Sequence, residues 1–159
     1  MIQTAMIEFV SATQEHVTGI CSVVNRSRVT WKVYFPEPDV NAIDAYVSFC
    51  HEYPSTYLAT VAVQDGIVVG GIGIFVERLY QGIVIGQNTL LVVDPTLAPF
   101  VKYSVLCRLI NTAHVYAKEQ GCNRIAWSLG VGEWAVVQKI LERKHKAIQV
   151  GVSLNSEIV

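Results

Sequence analysis

The chain has 159 residues, of which 52% are apolar and only 16% are charged, and its formal net charge is −1 at pH 7. This length predicts one domain over residues 1–159 with a single substantial core. The low charged fraction, against about 25% in ordinary domains, argues against disorder and indicates a large core or an apolar exposed face. The small net charge gives no long-range field that would attract nucleic acid or an acidic membrane.

No segment has the signature of membrane insertion or export. The longest fully apolar run, residues 67–76, is shorter than the about 20 residues that a membrane-spanning helix needs. The first residues lack the basic stretch and apolar core of a secretory signal. Because Cys21, Cys50, Cys107 and Cys122 show no C-x-x-C spacing, we expect buried free thiols in a reducing compartment. The sequence therefore predicts a cytoplasmic protein.

The first third of the chain predicts a strand followed by two helices. Residues 5–10 alternate weakly between apolar and polar, as in a strand. Ser11 and Gln14 form a capping-box pattern for a first helix. Residues 26–39 break the periodicity and predict a loop, after which Asp39 is placed to cap a second helix. The expected buried stripe of the first helix is Val17, Ile20, Cys21 and Val24, and that of the second is Val40, Ile43, Val47 and Cys50.

The middle of the chain predicts a hairpin and a further strand. Residues 56–64 and 67–76 are β-rich and are joined by Asp65-Gly66, a strong hairpin signal. Glycines 70, 71 and 73 inside the second run indicate a bulge or a close backbone approach. Residues 77–87 predict a connection, and residues 88–94 the next strand.

The last third predicts a helix, a strand, a helix and two closing strands. Pro99 suits the first turn of a helix that runs to about Gln120, with Gly121 as its C-terminal cap. Residues 124–128 predict a short strand, and a last helix follows. Residues 147–152 and 153–159 can close the sheet. The order βααβββαβαββ predicts a single-domain α/β fold with a mixed, mostly antiparallel sheet flanked by about four helices. The expected buried positions are Val105, Leu106, Leu109, Ile110, Ala113 and Ala117 in the first of these helices, and Val137, Ile140 and Leu141, with Trp134, in the second.

This order, with the strand Leu91-Leu-Val-Val-Asp-Pro95 before the long helix, resembles the GNAT superfamily of acetyl-coenzyme A dependent N-acyltransferases. The resemblance covers essentially the whole chain, and its more specific part is residues 57–146. It implies that the strand around residues 89–93 splays from the strand at residues 124–128. It also implies that the pantetheine arm of acetyl-CoA, or of another acyl-CoA, lies in that gap against Leu91, Val92 and Val93.

The family's pyrophosphate turn, Arg/Gln-x-x-Gly-x-Gly/Ala, is replaced here by Ala98-Pro-Phe-Val101-Lys-Tyr103. Glycines in such a turn let successive backbone N–H groups converge on the phosphates, and the helix N-terminus adds a favourable dipole. By resemblance, Val101, Lys102, Tyr103 and Ser104 would contact the phosphates, with Lys102 supplying charge and Ser104 a hydroxyl. Pro99 removes one backbone donor. The motif is therefore degenerate.

A second departure lies near the last helix, where many family members carry a tyrosine that protonates the departing thiolate, followed by Gly-Phe. Those positions here are Leu141, His145 and Lys146. A leucine cannot donate a proton, although positioning of the two reactants alone supplies much of the rate in such a transfer.

Few side chains stand out as candidates for chemistry. Acyl transfer to an amine needs a base, and Glu77, at the end of the glycine-containing strand, is the best-placed carboxylate; a solvated strand-end charge is the alternative interpretation. Asp94, before Pro95, is interpreted as a turn former. The four histidines show neither H-x-x-x-H nor H-E-x-x-H spacing, so no metal site is expected.

Residues 26–35 interleave three cations with Trp31, Tyr34 and Phe35. These aromatics could pack on the core, contact a substrate, or anchor a protein partner. Basic residues with aromatics also suit single-stranded nucleic acid, an interpretation that the net charge does not support.

Two hypotheses remain open. In the first, the protein transfers an acetyl or acyl group from coenzyme A to an amine on a small molecule or protein, with activity impaired by the altered motifs. In the second, it is a non-catalytic protein-interaction module that keeps the GNAT fold, such as a bacteriophage protein that acts on a host protein. The turn at residues 98–104 is the feature that discriminates between them.

Overall fold

The computed structural model describes residues 6–30, 36–127 and 134–147, apart from the side chain of Trp134. Its elements follow the predicted order as far as the last helix, and the two predicted closing strands, residues 147–152 and 153–159, lie outside the described residues except for Ala147. The elements are β1 (Ile7–Ser11), α1 (Val17–Arg28), α2 (Val40–Glu52), β2 (Tyr57–Gln64), β3 (Ile67–Arg78), β4 (Val84–Val93), α3 (Pro99–Glu119), β5 (Arg124–Ala126) and α4 (Trp134–His145).

The five described strands form one sheet in the order β1-β2-β3-β4-β5. All neighbours are antiparallel except β4 and β5, which run parallel. Two apolar clusters cover the two faces: α1 and α2 pack on one, and α3 and α4 on the other. The predicted α/β class with a mixed, mostly antiparallel sheet is therefore confirmed.

The local signals for turns and caps are mostly confirmed. Asp65 and Gly66 both have positive φ, 51° and 76°, as a two-residue hairpin turn requires. The Asp39 carboxylate accepts hydrogen bonds from the backbone N–H groups of Asn41 (2.8 Å) and Ala42 (3.3 Å), and so caps α2. Pro99 begins α3, and Gly121 follows it with φ of 77°.

Several predicted boundaries are wrong. The helix α1 continues to Arg28, three residues into the loop predicted for residues 26–39, and β5 ends at Ala126 rather than at residue 128. Ser11 does not cap the first helix, because it still pairs with Thr60 in the sheet; a short 3₁₀ turn, Gln14–His16, follows instead, and the Thr13 backbone N–H donates to His16 Nδ1 at 3.0 Å. Residues 77–87 are not one connection. The β3–β4 ladder extends to the pair Arg78–Val84, because cross-strand hydrogen bonding outweighs the weak local strand propensity there.

The predicted buried stripes are largely confirmed. All six predicted positions on α3 are buried, as are Val137, Ile140 and Leu141 on α4. In α1 the fully buried position is Val23, whereas Cys21 is only half-buried, and in α2 Val40 is exposed. All four cysteines are free, as predicted, but each is partly rather than fully buried.

Candidate active site

The sheet opens between β4 and β5. Within the described residues, β5 pairs only with Ile85, Gly86 and Gln87 of β4. Beyond Gln87, β4 continues to Val93, which extends the strand by about 20 Å at about 3.3 Å per residue. In the described part of the chain, no strand lies against this side of residues 88–93. The end of this pairing agrees with the splay that the family resemblance implies.

The backbone orientation of β4 follows from one hydrogen bond. Asp94 N–H donates to Val69 O on β3 at 2.8 Å. Because N–H groups alternate between the two sides of a strand, the N–H and C=O groups of Val93 and Leu91 face away from β3 and into the gap. The backbone groups of these two buried residues thus point to the side of β4 that no described strand covers.

A β-bulge marks the place where the gap begins. Gly73 pairs with Leu90 and Ile74 with Asn88, which leaves Thr89 as the extra residue. The Asn88 side-chain amide donates to Gly73 O (3.2 Å) and Leu90 O (2.9 Å), and so satisfies carbonyl groups that the interrupted ladder releases.

A tyrosine on α2 holds this bulge. Tyr46 Oη lies 3.2 Å from Leu58 O, 3.1 Å from Ile74 O and 3.0 Å from Thr89 Oγ1. Since carbonyl oxygens only accept, Tyr46 donates to them and Thr89 donates to Tyr46. Burial raises the pKa of Tyr46, so it stays a neutral phenol that ties α2 to three strands.

Next to the bulge, a cavity of about 270 Å³ lies between the sheet and the pair α1 and α2. Its roof includes Ile20, Val24, Ile43 and Val47, and its floor includes Ala59, Val61, Gly71, Gly73 and Leu90. Thr89 and Leu90 form its end nearest the β4–β5 gap.

The turn after β4 is built without glycine. Val101 N–H (2.9 Å) and Lys102 N–H (3.0 Å) both donate to Ala98 O, and Pro99 has no N–H. Ala98 offers no side-chain cap. The start of α3 therefore has fewer free backbone donors than a glycine-rich phosphate turn.

Asp94 closes β4 and links it to α1. Its Oδ1 accepts from the backbone N–H (3.0 Å) and the hydroxyl (2.7 Å) of Thr96, and its Oδ2 from Arg26 at 2.9 Å. Burial alone would raise the pKa of Asp94, but these hydrogen bonds outweigh it, and the pKa is lowered. The predicted role of Asp94 as a turn former is confirmed, and the ion pair with Arg26 was not expected.

On the other side of the sheet, α4 lies against α3. The rings of His114 and His145 stack with centroids 3.9 Å apart, and His114 also stacks on Trp127 at 5.8 Å. Burial, followed by the neighbouring His114 and Lys144, lowers the pKa of His145. Leu141, at the position of the family's tyrosine, is buried in this core.

The structure brings part of the predicted set together. Leu91, Val92 and Val93 form the end of β4. The following α3 begins at Pro99 and carries Val101, Lys102, Tyr103 and Ser104 in its first two turns. The assignment of these residues to a cofactor stays a prediction.

Glu77 lies near the start of the gap rather than beside residues 91–93. It pairs with Ile85, two residues before the point where the strands part, and accepts a hydrogen bond from Gln87 Nε2 at 3.0 Å. Trp31, Tyr34 and Phe35 lie outside the described residues.

The sequence analysis missed Tyr46 and Thr89, and also the role of Gly73 beneath them. An ideal Cβ on Gly73 would collide with Thr89 Oγ1 and stand 3.2 Å from Tyr46 Oη. The glycines of β3 indicated a close backbone approach in the sequence. The residues that approach Gly73 could not be predicted, because they come from a helix and a strand that are distant in sequence.

Comparison with solved structures identifies the fold. The glucosamine-6-phosphate N-acetyltransferase of Arabidopsis thaliana superposes with a TM-score of 0.74 at 9% identity, over 97% of this chain and 99% of that one. The aminoglycoside N-acetyltransferase AAC(6')-Iy, in complex with CoA, gives 0.71 at 13% identity over 99% and 98%. A ribosomal-protein-alanine N-acetyltransferase of Brucella melitensis gives 0.61 at 14% identity over 97% and 98%.

No family model matches the chain, and no curated protein matches it in sequence. At these low identities the structural likeness establishes the fold: the chain has the GNAT fold of N-acetyltransferases, over essentially its whole length. No helix in the described part of the chain is long and apolar enough to cross a membrane. The same residues contain no group of three or more side chains that could hold a metal ion.

Proposed function

We propose that this protein binds an acyl-coenzyme A between β4 and β5 and transfers the acyl group to an amine. The observation that carries the proposal is the backbone edge of β4 after Gln87, with which no described strand pairs. The N–H groups of Leu91 and Val93 face that gap, as inferred from the Asp94–Val69 hydrogen bond. An extended pantetheine arm has amide groups that can pair with such an edge as a strand would.

The chemistry is a direct transfer. The amine nitrogen attacks the thioester carbonyl carbon, a C–N bond forms and the C–S bond breaks. The coenzyme leaves as a thiolate, which takes up the proton that the nitrogen loses as it becomes an amide. A backbone N–H on the free edge of β4 would polarise the carbonyl oxygen as negative charge develops there. The amine must first lose a proton, and Glu77, hydrogen-bonded to Gln87 at the start of the gap, remains our candidate acceptor for it through water.

The phosphates and the pantetheine arm of the coenzyme would contribute unequally to its binding free energy. The turn at residues 98–104 presents bulky side chains and few free N–H groups, so Lys102 and the exposed Ser104 would carry the contacts to phosphate. The pantetheine arm would depend instead on the edge of β4. We therefore expect that much of the binding free energy comes from the arm and less from the phosphates than in a glycine-rich site.

Thermal-shift and calorimetric titrations test this division. Acetyl-CoA and S-acetyl-pantetheine, which lacks the phosphates, should both stabilise the protein saturably, since a ligand that binds only the folded state raises its melting temperature. Lys102→Ala should weaken acetyl-CoA by about 10- to 150-fold, which is the loss of one charge-assisted hydrogen bond of about 1.5–3 kcal/mol, and leave S-acetyl-pantetheine unchanged.

Lys118→Ala, at the opposite end of α3, is the matched control and should change neither affinity. Absence of any stabilisation by both compounds at about millimolar concentration, which corresponds to less than about 4 kcal/mol of binding, would reject the proposal.

The second candidate is a non-catalytic protein-interaction module, and the glycine-free turn favours it. In this version Trp31, Tyr34 and Phe35 contact a protein partner, which for a phage-encoded protein would be a host protein. Trp31→Ala combined with Phe35→Ala should then abolish capture of that partner while the circular dichroism spectrum stays the same. Unaltered capture by the double variant would count against it. Both candidates are expected to act in the cytoplasm.

A further inference from the structure

The cavity beside the bulge exists because small residues stand where this sheet otherwise carries branched ones. Ala59 on β2 pairs with Gly73 on β3, and Gly71 lies two residues along the same face. Val61 and Leu90 continue the floor with larger side chains. The lining is thus mostly apolar, and such a surface favours apolar molecules. The space is thus shaped for a ligand without charge.

The polar groups around the cavity are already engaged. Tyr46 donates to backbone carbonyls and accepts from Thr89. Among the described residues that line the cavity, Asp39 is the only charged one, and it lies exposed at the mouth, where it caps α2. None of the described lining residues places a carboxylate deeper inside to pair with a ligand that carries several positive charges, and burying such charges without partners is costly.

We infer that the cavity binds the apolar body of the acceptor, so that the substrate class is a primary amine attached to an uncharged ring system or alkyl chain. That the occupant is the acceptor rests on the proposed function, whereas the binding of an apolar ligand in this cavity does not. An engineered cavity of about 150 Å³ holds benzene, so 270 Å³ suits about two fused rings or a comparable alkyl chain.

The position of the cavity suits this assignment. Its end nearest the β4–β5 gap is formed by Thr89, which is exposed, and by Leu90, next to the free edge of β4. An amine at that end would meet a thioester held along the edge, while the apolar body lies under α2. A polycation such as an aminoglycoside would meet one charged partner, Asp39 at the mouth, among the described lining residues.

The test compares three probes by isothermal titration without coenzyme: naphthylethylamine, naphthalenemethanol and spermidine. The two naphthyl compounds should bind, and spermidine should not. Ala42→Leu, at the cavity mouth, should weaken naphthylethylamine by about tenfold, which corresponds to about 1.4 kcal/mol. Ala45→Leu makes the same change at an exposed position of α2 outside the cavity, and should leave the affinity within about twofold.

The possible results separate the cavity assignment from the proposed function. Tighter binding of spermidine than of the naphthyl compounds, or equal affinities in the two leucine variants, would overturn the inference. So would tighter binding of octanoyl-CoA than of acetyl-CoA in an Ala42-dependent way, because the occupant would then be the acyl chain. Binding of naphthylethylamine without any binding of acetyl-CoA would reject the proposed function and leave the cavity assignment standing.

Discussion

Gly71 and Gly73 lie two positions apart in β3, and replacing each by alanine should change the free energy of unfolding in opposite directions. At Gly73 an ideal Cβ would collide with Thr89 Oγ1 and approach Tyr46 Oη to 3.2 Å. At Gly71 the nearest atoms would be Thr60 O at 3.5 Å and Val61 Cγ1 at 3.8 Å, which are ordinary contacts. Both φ angles are ones that alanine can adopt, so contact rather than backbone strain decides the outcome.

The magnitudes follow from this geometry. Gly→Ala at a compatible position stabilises by about 0.4–1 kcal/mol through the unfolded chain, and this is the expectation for Gly71→Ala. For Gly73→Ala, overpacking costs about 1–3 kcal/mol, and displacement of Thr89 weakens a hydrogen bond worth about 0.5–1.5 kcal/mol. We expect a net loss of about 1–3 kcal/mol, or a fall in Tm of several degrees at about 2–4 °C per kcal/mol.

Urea unfolding followed by circular dichroism measures both variants against the parent chain. Thr89→Ala removes the hydroxyl that Gly73→Ala displaces, so the double variant should lose less than the sum of the two single losses, with a coupling of about 1 kcal/mol. Equal stabilities of Gly71→Ala and Gly73→Ala would refute the reasoning, because the close packing of the bulge against Gly73 would then carry no energetic weight.

Two predictions concern pH. Because Asp94 has a lowered pKa, its stabilisation is full above about pH 3.9 and is lost as the pH falls through its folded pKa. Asp94→Asn should cost about 1 kcal/mol at neutral pH, since Arg26 is partly exposed and Thr96 keeps one acceptor, and should flatten the acid limb of a Tm–pH profile; an unchanged limb would contradict this. The lowered pKa of His145 means that its neutral form stabilises α4 fully above about pH 6.5 and that this contribution falls as the pH drops through the folded pKa. His145→Gln should therefore reduce the loss of Tm between about pH 7.5 and about pH 5, whereas a slope as steep as that of the parent would show that the stack with His114 does not govern it.

The sequence by itself determined the order of elements and most of their ends. Local chemistry suffices for these features: Asp65-Gly66 permits positive φ, Asp39 supplies a capping oxygen, and Pro99 and Gly121 fit the two ends of α3. Through its resemblance to a known family, the sequence also indicated the GNAT fold and a glycine-free turn at the position where that family binds phosphate.

Where local signals were weak, the sequence misjudged the boundaries. Residues 79–83 form a turn and their flanks pair as strands, because the β3–β4 ladder contributes hydrogen bonds that no short window of sequence reveals. Val23 rather than Cys21 faces the sheet, because the direction of α1 is set by its packing against α2 and β3. Tertiary packing, rather than local sequence, therefore sets these strand ends and the buried face of α1.

Only the tertiary structure decided how the site is built. The packing of α2, β3 and β4 brings together Tyr46, Gly73 and Thr89. The local sequence around each of these residues does not predict that contact. The cavity likewise depends on small residues from different strands facing one helix pair. Periodicity and capping are properties of neighbouring residues, whereas a cavity and a parted strand edge are properties of surfaces that exist only after the chain has folded.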